Sequence, residues 1–306
     1  LGKDHKTPVF PKLVFILKDG VNLRPSDPNY DIKQLALKCA SERIYPDIIS
    51  YKMMMKMYGY VITPMGCRSF LPKYINPETG EPMSYGRRNV GVCTLNLPNI
   101  AMSVNNRDDF WNEFDKRIQL VRKTLMWRFS QIKKAHAFNS PIVYQYGASG
   151  HRLPANDSVS SVYLHGEATA SIGYIGVHEA TLRFFGEDWQ DNPEAVDFAL
   201  SIMKRLHYWK EVWNEEQEQI DGFAGFSVYG TPSESLVDTF CKQDRKTFGI
   251  VEGITDKGYY NNSFHFQQDK PIDPFAKLDF ESQFVPYSAG GNITYEESYS
   301  LRKNLK

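Results

Sequence analysis

The chain has 306 residues, 42% of them hydrophobic and 14% aromatic, with 36 basic and 36 acidic side chains. This balance excludes a broad electrostatic surface for nucleic acid, so an anionic ligand needs a local site. No run approaches the roughly eighteen apolar residues of a membrane span, which predicts a soluble protein without a membrane partner. The four cysteines form no CxxC pair and favour a reducing compartment.

The pattern of the N-terminal part predicts a strand, a helix and a second strand. Residues 8–17 form a β-branched and aromatic run that ends at Asp19-Gly20, a helix is predicted from about residue 31 to 44, and a second strand covers 47–51. This order predicts a parallel crossover unit. Because the chain starts at Leu1 without a methionine, we expect it to begin inside a longer protein.

Cys67 is the first candidate for chemistry. Pro64, Gly66 and Pro72 place it on a turn-rich loop, where a thiol can be displayed to a ligand. The other three cysteines fall on apolar faces of predicted elements and read as small buried hydrophobes; they are Cys39, Cys93 and Cys241.

Beyond this loop a polar segment leads into a predicted strand, residues 90–97. Asn89 at its start and Asn96 near its end can each hold a sugar hydroxyl through the amide, although turn formation explains most asparagines in such places. A long helix is predicted over about 107–137 and another from Pro193 onward. From residue 259 the pattern predicts loops with short strands.

A second candidate lies between residues 225 and 236. The pattern predicts a strand, a glycine turn, and a helix entered through Thr231 as N-cap and Pro232 as first helical residue. Amides at such a helix start bind phosphate, with hydroxyls of Ser233 and Ser235 as further donors. The alternative is a capping box between Thr231 and Glu234, which satisfies the helix's own donors.

The seven histidines show no nucleophile motif and no metal-ligand spacing. A hydrolase that pairs Cys67 with a histidine, and a metal site, are therefore the weaker hypotheses. We expect no bound metal in this chain.

Six short motifs occur in an order that resembles the catalytic subunit of anaerobic (class III) ribonucleotide reductase, a glycyl radical enzyme. They span nearly the whole chain and lie at residues 10–13, 64–71, 89–98, 171–176, 229–235 and 259–265. The resemblance implies a ten-stranded α/β barrel of two five-stranded halves, with a finger loop threaded through its centre. Residues 1–306 are then expected to be one catalytic barrel portion, with the finger loop at about 60–72.

The resemblance also implies roles for individual residues. Cys67 matches the thiyl radical position of the finger loop, and Asn89 an active-site asparagine near the substrate ribose. Met65 and Ser69, on either side of Cys67, are expected to contact the substrate. The substrate phosphates are expected at the segment Gly230, Thr231, Pro232, Ser233, Glu234 and Ser235.

Cofactors and partners follow from the same resemblance. They are a glycyl radical, formate as reductant, a zinc site and a separate S-adenosylmethionine iron–sulfur activase. The expected ligands are ribonucleoside triphosphates as substrates and dNTP or ATP as effectors. A cytoplasmic homodimer, in a bacterium or in the host of a phage, is the expected assembly, without DNA as a partner.

The sequence also departs from the family pattern. The C-terminal arginine-valine-x-glycine-tyrosine radical segment, the four-cysteine zinc site and the N-terminal nucleotide-sensing region are missing. We therefore expect residues 1–306 to be the central and later part of a subunit of about twice this length, inactive alone. Two alternatives stay open: another glycyl radical enzyme, such as a formate acetyltransferase or dehydratase, and a catalytically silent nucleotide-binding fragment.

Overall fold

A computed structural model describes residues 12–43, 45–66, 68–71, 74–76, 79–83, 86–148, 150–163, 166–217, 222–267 and 270–295. The chain divides into two compact units. The first comprises Leu1–Gly66 and Tyr295–Lys306, and the second comprises Cys67–Thr294.

The first unit contains the predicted crossover. Strands β1 (Val14–Leu17) and β2 (Asp47–Ser50) pair in parallel, and helix α1 (Tyr30–Arg43) connects them. The second strand is shorter than predicted, because the Ser50 hydroxyl accepts a hydrogen bond from the Met53 amide and caps helix α2 (Tyr51–Tyr58).

The predicted apolar face of α1 is only partly buried. Ala36 is buried and Cys39 is half-buried, but Ile32 and Leu35 are exposed. Three-to-four spacing placed these side chains on one face correctly, yet a shared face is not by itself a buried one.

The second unit is built around a parallel sheet in the order β3 (Arg88–Asn96), β4 (Ala168–Ile175) and β5 (Phe223–Tyr229). All eight residues of the central strand β4 are buried, as expected for a parallel strand covered on both faces. The predicted strand 90–97 thus begins two residues earlier and ends at Asn96, where Leu97 starts a helix.

Helices cover the sheet and its connections. They are α3 (Leu97–Met102), α4 (Arg107–Lys133), α5 (Pro141–Tyr144), α6 (Val177–Phe185), α7 (Pro193–Gln217), α8 (Leu236–Phe248) and α9 (Pro274–Ser282). Short 3-10 turns lie at Ala137–Asn139, Val159–Val162, Trp189–Asp191 and Val285–Tyr287.

The core forms where α4 packs against β3 and α7 packs against β5. The predicted face of α4 is buried from Phe110 to Phe129, which confirms the helical period, although the helix ends at Lys133 rather than near residue 137. Helix α7 begins as predicted, because the Asn192 side chain accepts a hydrogen bond from the Glu194 amide.

Helix α9 lies in the tail that was predicted to hold only loops and short strands. Asp273 caps it by accepting hydrogen bonds from the amides of Phe275 and Ala276, and Pro274 is its first residue. This is the same Asx–Pro signal that predicted α7, so the helix was predictable from the sequence.

These elements define an α/β fold with parallel sheets. In the part of the chain that the structure describes, no helix combines the length and apolarity that crossing a bilayer requires.

Candidate active site

The predicted finger loop lies outside the helices and strands on both sides of Cys67, which itself falls outside the described residues. Met65 belongs to the first unit and is 37% exposed. Arg68, Phe70 and Leu71 are buried within the second unit. Residues 68–71, which we call the finger arm, thus anchor the segment that follows the candidate thiol.

Two polar groups of the finger arm differ in their bonding. The Phe70 amide donates a hydrogen bond to the Gly290 carbonyl at 2.8 Å. The Ser69 hydroxyl is buried and has no hydrogen-bond partner among the described residues. A buried hydroxyl without a hydrogen-bond partner destabilises the fold, and a hydrogen bond to a polar ligand would offset this cost in free energy. Substrate contact by Met65 and Ser69 remains a prediction.

The remaining cysteines do not resemble reactive thiols. Cys241 is fully buried, and Cys93 is partly buried against the core. Burial raises the pKa of both thiols, which disfavours the thiolate form. Together with the half-buried Cys39, they are free cysteines.

The sheet face opposite α4 and α7 is polar. Side chains alternate along a strand, and in β4 the series Ala168, Ala170, Ile172 and Tyr174 belongs to the core. The alternate positions carry Thr169, Ser171 and Gly173 instead. Ser171 lies opposite Ser227 of β5, and both are buried. Hydroxyl side chains on this face can donate and accept hydrogen bonds.

Asn89 projects onto this polar face from β3. Its amide nitrogen donates to the Ser171 hydroxyl at 2.6 Å, and its oxygen accepts from the Gly91 amide at 2.9 Å. The register of β3 and β4 shifts between Asn89 and Val92, a bulge of the kind that re-aims a side chain. Asn89 therefore does both things that the sequence suggested. Its side chain makes a local hydrogen bond to the backbone, and it also lies on the polar face of the sheet.

Asn96, the other asparagine considered for sugar binding, has a structural role. Its side-chain oxygen accepts from the Asn99 amide and caps α3. Its nitrogen donates to buried Asp244 of α8, which also accepts from Asn99 and Tyr260. These bonds hold the carboxyl end of β3 to α8.

The predicted phosphate segment, Gly230–Ser235, is a loop at the carboxyl end of β5. Ser233 and Glu234 have φ values of 61° and 42°, a left-handed backbone that interrupts any helix. Helix α8 therefore begins at Leu236 with Ser235 as its N-cap. The prediction that Thr231 caps the helix and Pro232 starts it is wrong.

The alternative capping box is also wrong. The Thr231 hydroxyl bonds the Ser233 hydroxyl at 2.9 Å, and no side chain caps α8. Glu234 is exposed, while Thr231 is buried. Gly230–Ser235 is thus a hydroxyl-rich loop that directly precedes helix α8. The first amides of a helix have no acceptor inside that helix, so a loop in this position is suited to an anion.

Sequence reasoning missed the segment that holds this loop. The side chain of Asn262 donates to the Pro232 carbonyl at 2.8 Å and accepts from the hydroxyls of Ser233 and Ser263 at 3.1 and 2.9 Å. Ser263 also donates to the Thr231 carbonyl at 3.0 Å. The motif at residues 259–265 was the available signal, but it carried no assigned role.

A buried carboxyl group lies beside this segment. Glu179 in the first turn of α6 accepts from the Asn261 amide at 2.6 Å, and it is fully surrounded by protein. Burial raises the pKa of Glu179 to about 7, so the group is partly protonated at neutral pH.

The histidines that the structure describes have structural partners or lie at the surface. Buried His178 accepts a hydrogen bond from the Trp189 indole at 2.9 Å, and His265 pairs with Glu281 at 3.3 Å. Within the described residues no three side chains of His, Cys, Asp or Glu come together as a metal site would require. Two of the seven histidines, His5 and His165, lie outside those residues.

Comparisons with known proteins identify the family of the chain. The family model of anaerobic ribonucleoside-triphosphate reductase matches residues 1–306. The enzyme of that name from Escherichia coli K12 is 48% identical over 308 residues, covering the whole chain and 42% of the relative. The enzyme of phage T4 is 42% identical over 313 residues, covering the whole chain and 49% of the relative.

Solved structures share the fold. An anaerobic ribonucleotide reductase aligns over 97% of this chain and 42% of its own, with a TM-score of 0.60 and 18% identity. The Thermotoga maritima enzyme with MES in its active site aligns over 98% of this chain and 45% of its own, with a TM-score of 0.59 and 18% identity.

The parallel sheets and their covering helices thus define an α/β fold that is shared with solved anaerobic ribonucleotide reductases. More narrowly, the chain belongs to the anaerobic ribonucleoside-triphosphate reductase family, which confirms the resemblance. It spans less than half the length of the curated relatives that it matches.

Proposed function

We propose that the protein to which this chain belongs reduces ribonucleoside triphosphates to deoxyribonucleoside triphosphates under anaerobic conditions. The observation that carries the proposal is the polar sheet face with Asn89 on Ser171, next to the Gly230–Ser235 loop, in a chain matched by the family model from end to end. Residues 1–306 are then one portion of a ten-stranded barrel, with the finger loop at about residues 60–72.

In this proposal the sulfur of Cys67 is the hydrogen acceptor. As a thiyl radical it takes the hydrogen atom from the ribose 3′ carbon and becomes a thiol. The 2′ hydroxyl leaves as water, formate supplies two electrons and is oxidised to carbon dioxide, and Cys67 returns the hydrogen atom. S–H and activated C–H bonds are similar in strength, so the first step is nearly reversible, and the closed barrel keeps water from the intermediates.

The described residues supply binding and orientation. Asn89, held by Ser171, is proposed to bind the ribose hydroxyls, and Ser69 offers a further hydroxyl. The loop Gly230–Ser235 is proposed to hold the phosphates, with Thr231 and Ser233 near the anion and exposed Glu234 facing solvent. Met65 completes the proposed set.

The glycyl radical that generates the thiyl radical, the activase that forms it and the zinc site belong to the same proposal. So do the dNTP and ATP effectors, the homodimer and the cytoplasmic location.

The function is tested with the activated full-length protein under anaerobic conditions. Supplied with ribonucleoside triphosphates and formate, it should release deoxyribonucleoside triphosphates and carbon dioxide in equal amounts. If the glycyl radical forms but no deoxyribonucleotide appears, the proposed function is overturned.

Two further measurements separate the alternatives. A formate acetyltransferase would turn over pyruvate and coenzyme A instead, but such enzymes use two adjacent finger cysteines where Met65-Gly66-Cys67-Arg68 has one. A silent fragment would bind ribonucleoside triphosphates in calorimetry without any turnover in the activated full-length protein.

A further inference from the structure

A pair of glycines lies between the sheet and the finger arm. The Gly290 amide donates to the Val228 carbonyl at 2.7 Å, and the Gly230 amide donates to the Gly291 carbonyl at 2.9 Å. On its other side, the Gly290 carbonyl accepts from the Phe70 amide at 2.8 Å. The segment therefore bonds both to the finger arm and to the residue where the Gly230–Ser235 loop begins.

Neither glycine has room for a side chain. A Cβ atom on Gly290 would lie 2.7 Å from the Val228 carbonyl oxygen and 2.9 Å from the Ser227 hydroxyl. On Gly291 it would lie 1.8 Å from the Arg68 carbonyl oxygen, in a backbone with φ of 115°. The obstacles are largely backbone atoms, which cannot rotate away as a flexible side chain can.

The segment is also fixed at its ends. The Ser288 hydroxyl bonds the Tyr174 hydroxyl of β4 at 2.7 Å, and both residues are buried. The Thr294 hydroxyl donates to Glu281, another buried residue, at 2.8 Å. These anchors hold the glycines in place, so an added methyl group would displace the finger arm or β5.

We propose that Gly290 and Gly291 are positioning residues, which set the distance between the finger arm behind Cys67 and the loop Gly230–Ser235. The inference rests on the proposed function. If Cys67 reacts with a sugar whose phosphates lie on that loop, the gap between the two determines whether sulfur meets the ribose. A bare backbone is the thinnest spacer that a chain can place there. A misplacement of about 1 Å at a reacting centre can cost about 100-fold in rate.

The test uses the activated full-length protein with Gly290→Ala and Gly291→Ala. We expect kcat to fall by about 100-fold for each variant, while the Kd for ribonucleoside triphosphate changes by less than about tenfold and the glycyl radical signal is kept. The matched controls for Gly291→Ala are Gly249→Ala and Gly258→Ala, which have φ values of 80° and 84° and open space around the added methyl group. They report the effect of backbone strain alone.

A milder variant covers the case in which an alanine variant does not fold. Ser288→Ala removes the bond to Tyr174 and adds no bulk, and we expect kcat to fall about tenfold at unchanged Kd. Ser282→Ala on α9 is its control, since that hydroxyl donates to the Asp279 carbonyl within its own helix.

The two proposals fail in different ways. Wild-type protein that makes no deoxyribonucleotide refutes the function. The positioning role is refuted if the wild-type protein reduces ribonucleotides and a folded Gly290→Ala or Ser288→Ala variant keeps kcat within about threefold of the wild-type value. Loss of rate that is matched by loss of nucleotide affinity or of radical also refutes it.

Discussion

The side-chain amide of Asn89 donates a hydrogen bond of 2.6 Å to the hydroxyl of Ser171, across neighbouring strands of the parallel sheet. The bond connects the one amide proposed to touch the ribose with a serine buried at the centre of the sheet. We therefore expect Ser171 to orient the side chain of Asn89.

Ser171→Ala should lower kcat by about tenfold, because Asn89 loses the acceptor that fixes its amide. Asn89→Ala should lower it further, since the proposed ribose contact is removed. Ser130→Ala, at an exposed position of α4, is the control and should leave kcat unchanged. Equal rates for Ser171→Ala and wild type in the full-length protein would contradict this role.

Asn262 should act on substrate binding. Asn262→Ala removes two hydrogen bonds to the loop Gly230–Ser235 and a third to Ser263. We therefore expect KM for the ribonucleoside triphosphate to rise about tenfold with a smaller change in kcat. Calorimetric titration with the same nucleotide checks the affinity directly. Asn112→Ala, exposed on α4, is the matched control. An unchanged KM would separate the loop from phosphate binding.

Glu179 should make stability depend on pH. Its pKa is about 7 in the folded protein and 4.5 as the reference value, so the folded state holds the proton more tightly than the unfolded state. The free energy of unfolding should therefore decrease as pH rises from about 4.5 to 7, by up to about 3 kcal/mol. Glu179→Gln keeps an acceptor for the Asn261 amide and should lack this component.

The comparison needs denaturant unfolding of both proteins at pH 5, 6, 7 and 8. Their difference isolates Glu179 from other groups, among them Glu281, whose pKa is lowered by His265 despite burial that raises it. A difference between the two proteins that does not vary with pH would contradict the assignment.

Phe129 tests the core directly. It is 2% exposed, and its ring centroid lies 5.3 Å from that of Phe223 and 6.0 Å from that of Tyr163. Phe129→Ala should cost about 3–5 kcal/mol of unfolding free energy. Trp127→Ala, two residues away and 64% exposed, should cost less than about 1 kcal/mol. Similar losses for both would contradict the packing of α4.

Local periodicity predicted much of this fold. The buried face of α4 and the β1–α1–β2 unit follow from spacing alone, because every turn or pleat repeats the same physical constraint. The same reasoning gave a wrong prediction for the loop Gly230–Ser235, because the local sequence Thr-Pro-Ser-Glu favours a capped helix. Contacts from Asn262 and Ser263, about thirty residues further along the chain, accompany a different backbone there.

Pairings across the chain could not be read from spacing. Asn89 and Ser171 are separated by 82 residues, and nothing in either local pattern marks the other as its partner. Gly290 and Gly291 look like an ordinary turn until the finger arm and β5 are placed on either side. The local pattern singled out Cys67 and Asn89, and the resemblance to the family supplied their expected roles, but neither indicated the residues that hold them.

The proposed reaction depends most on Cys67, and the replacement of this residue is the most direct test. Activated full-length protein with Cys67→Ala should form the glycyl radical in normal amount, measured by electron paramagnetic resonance, and produce no deoxyribonucleotide. Cys93→Ala and Cys39→Ala should retain turnover. Ribonucleotide reduction by the Cys67→Ala protein would contradict the account.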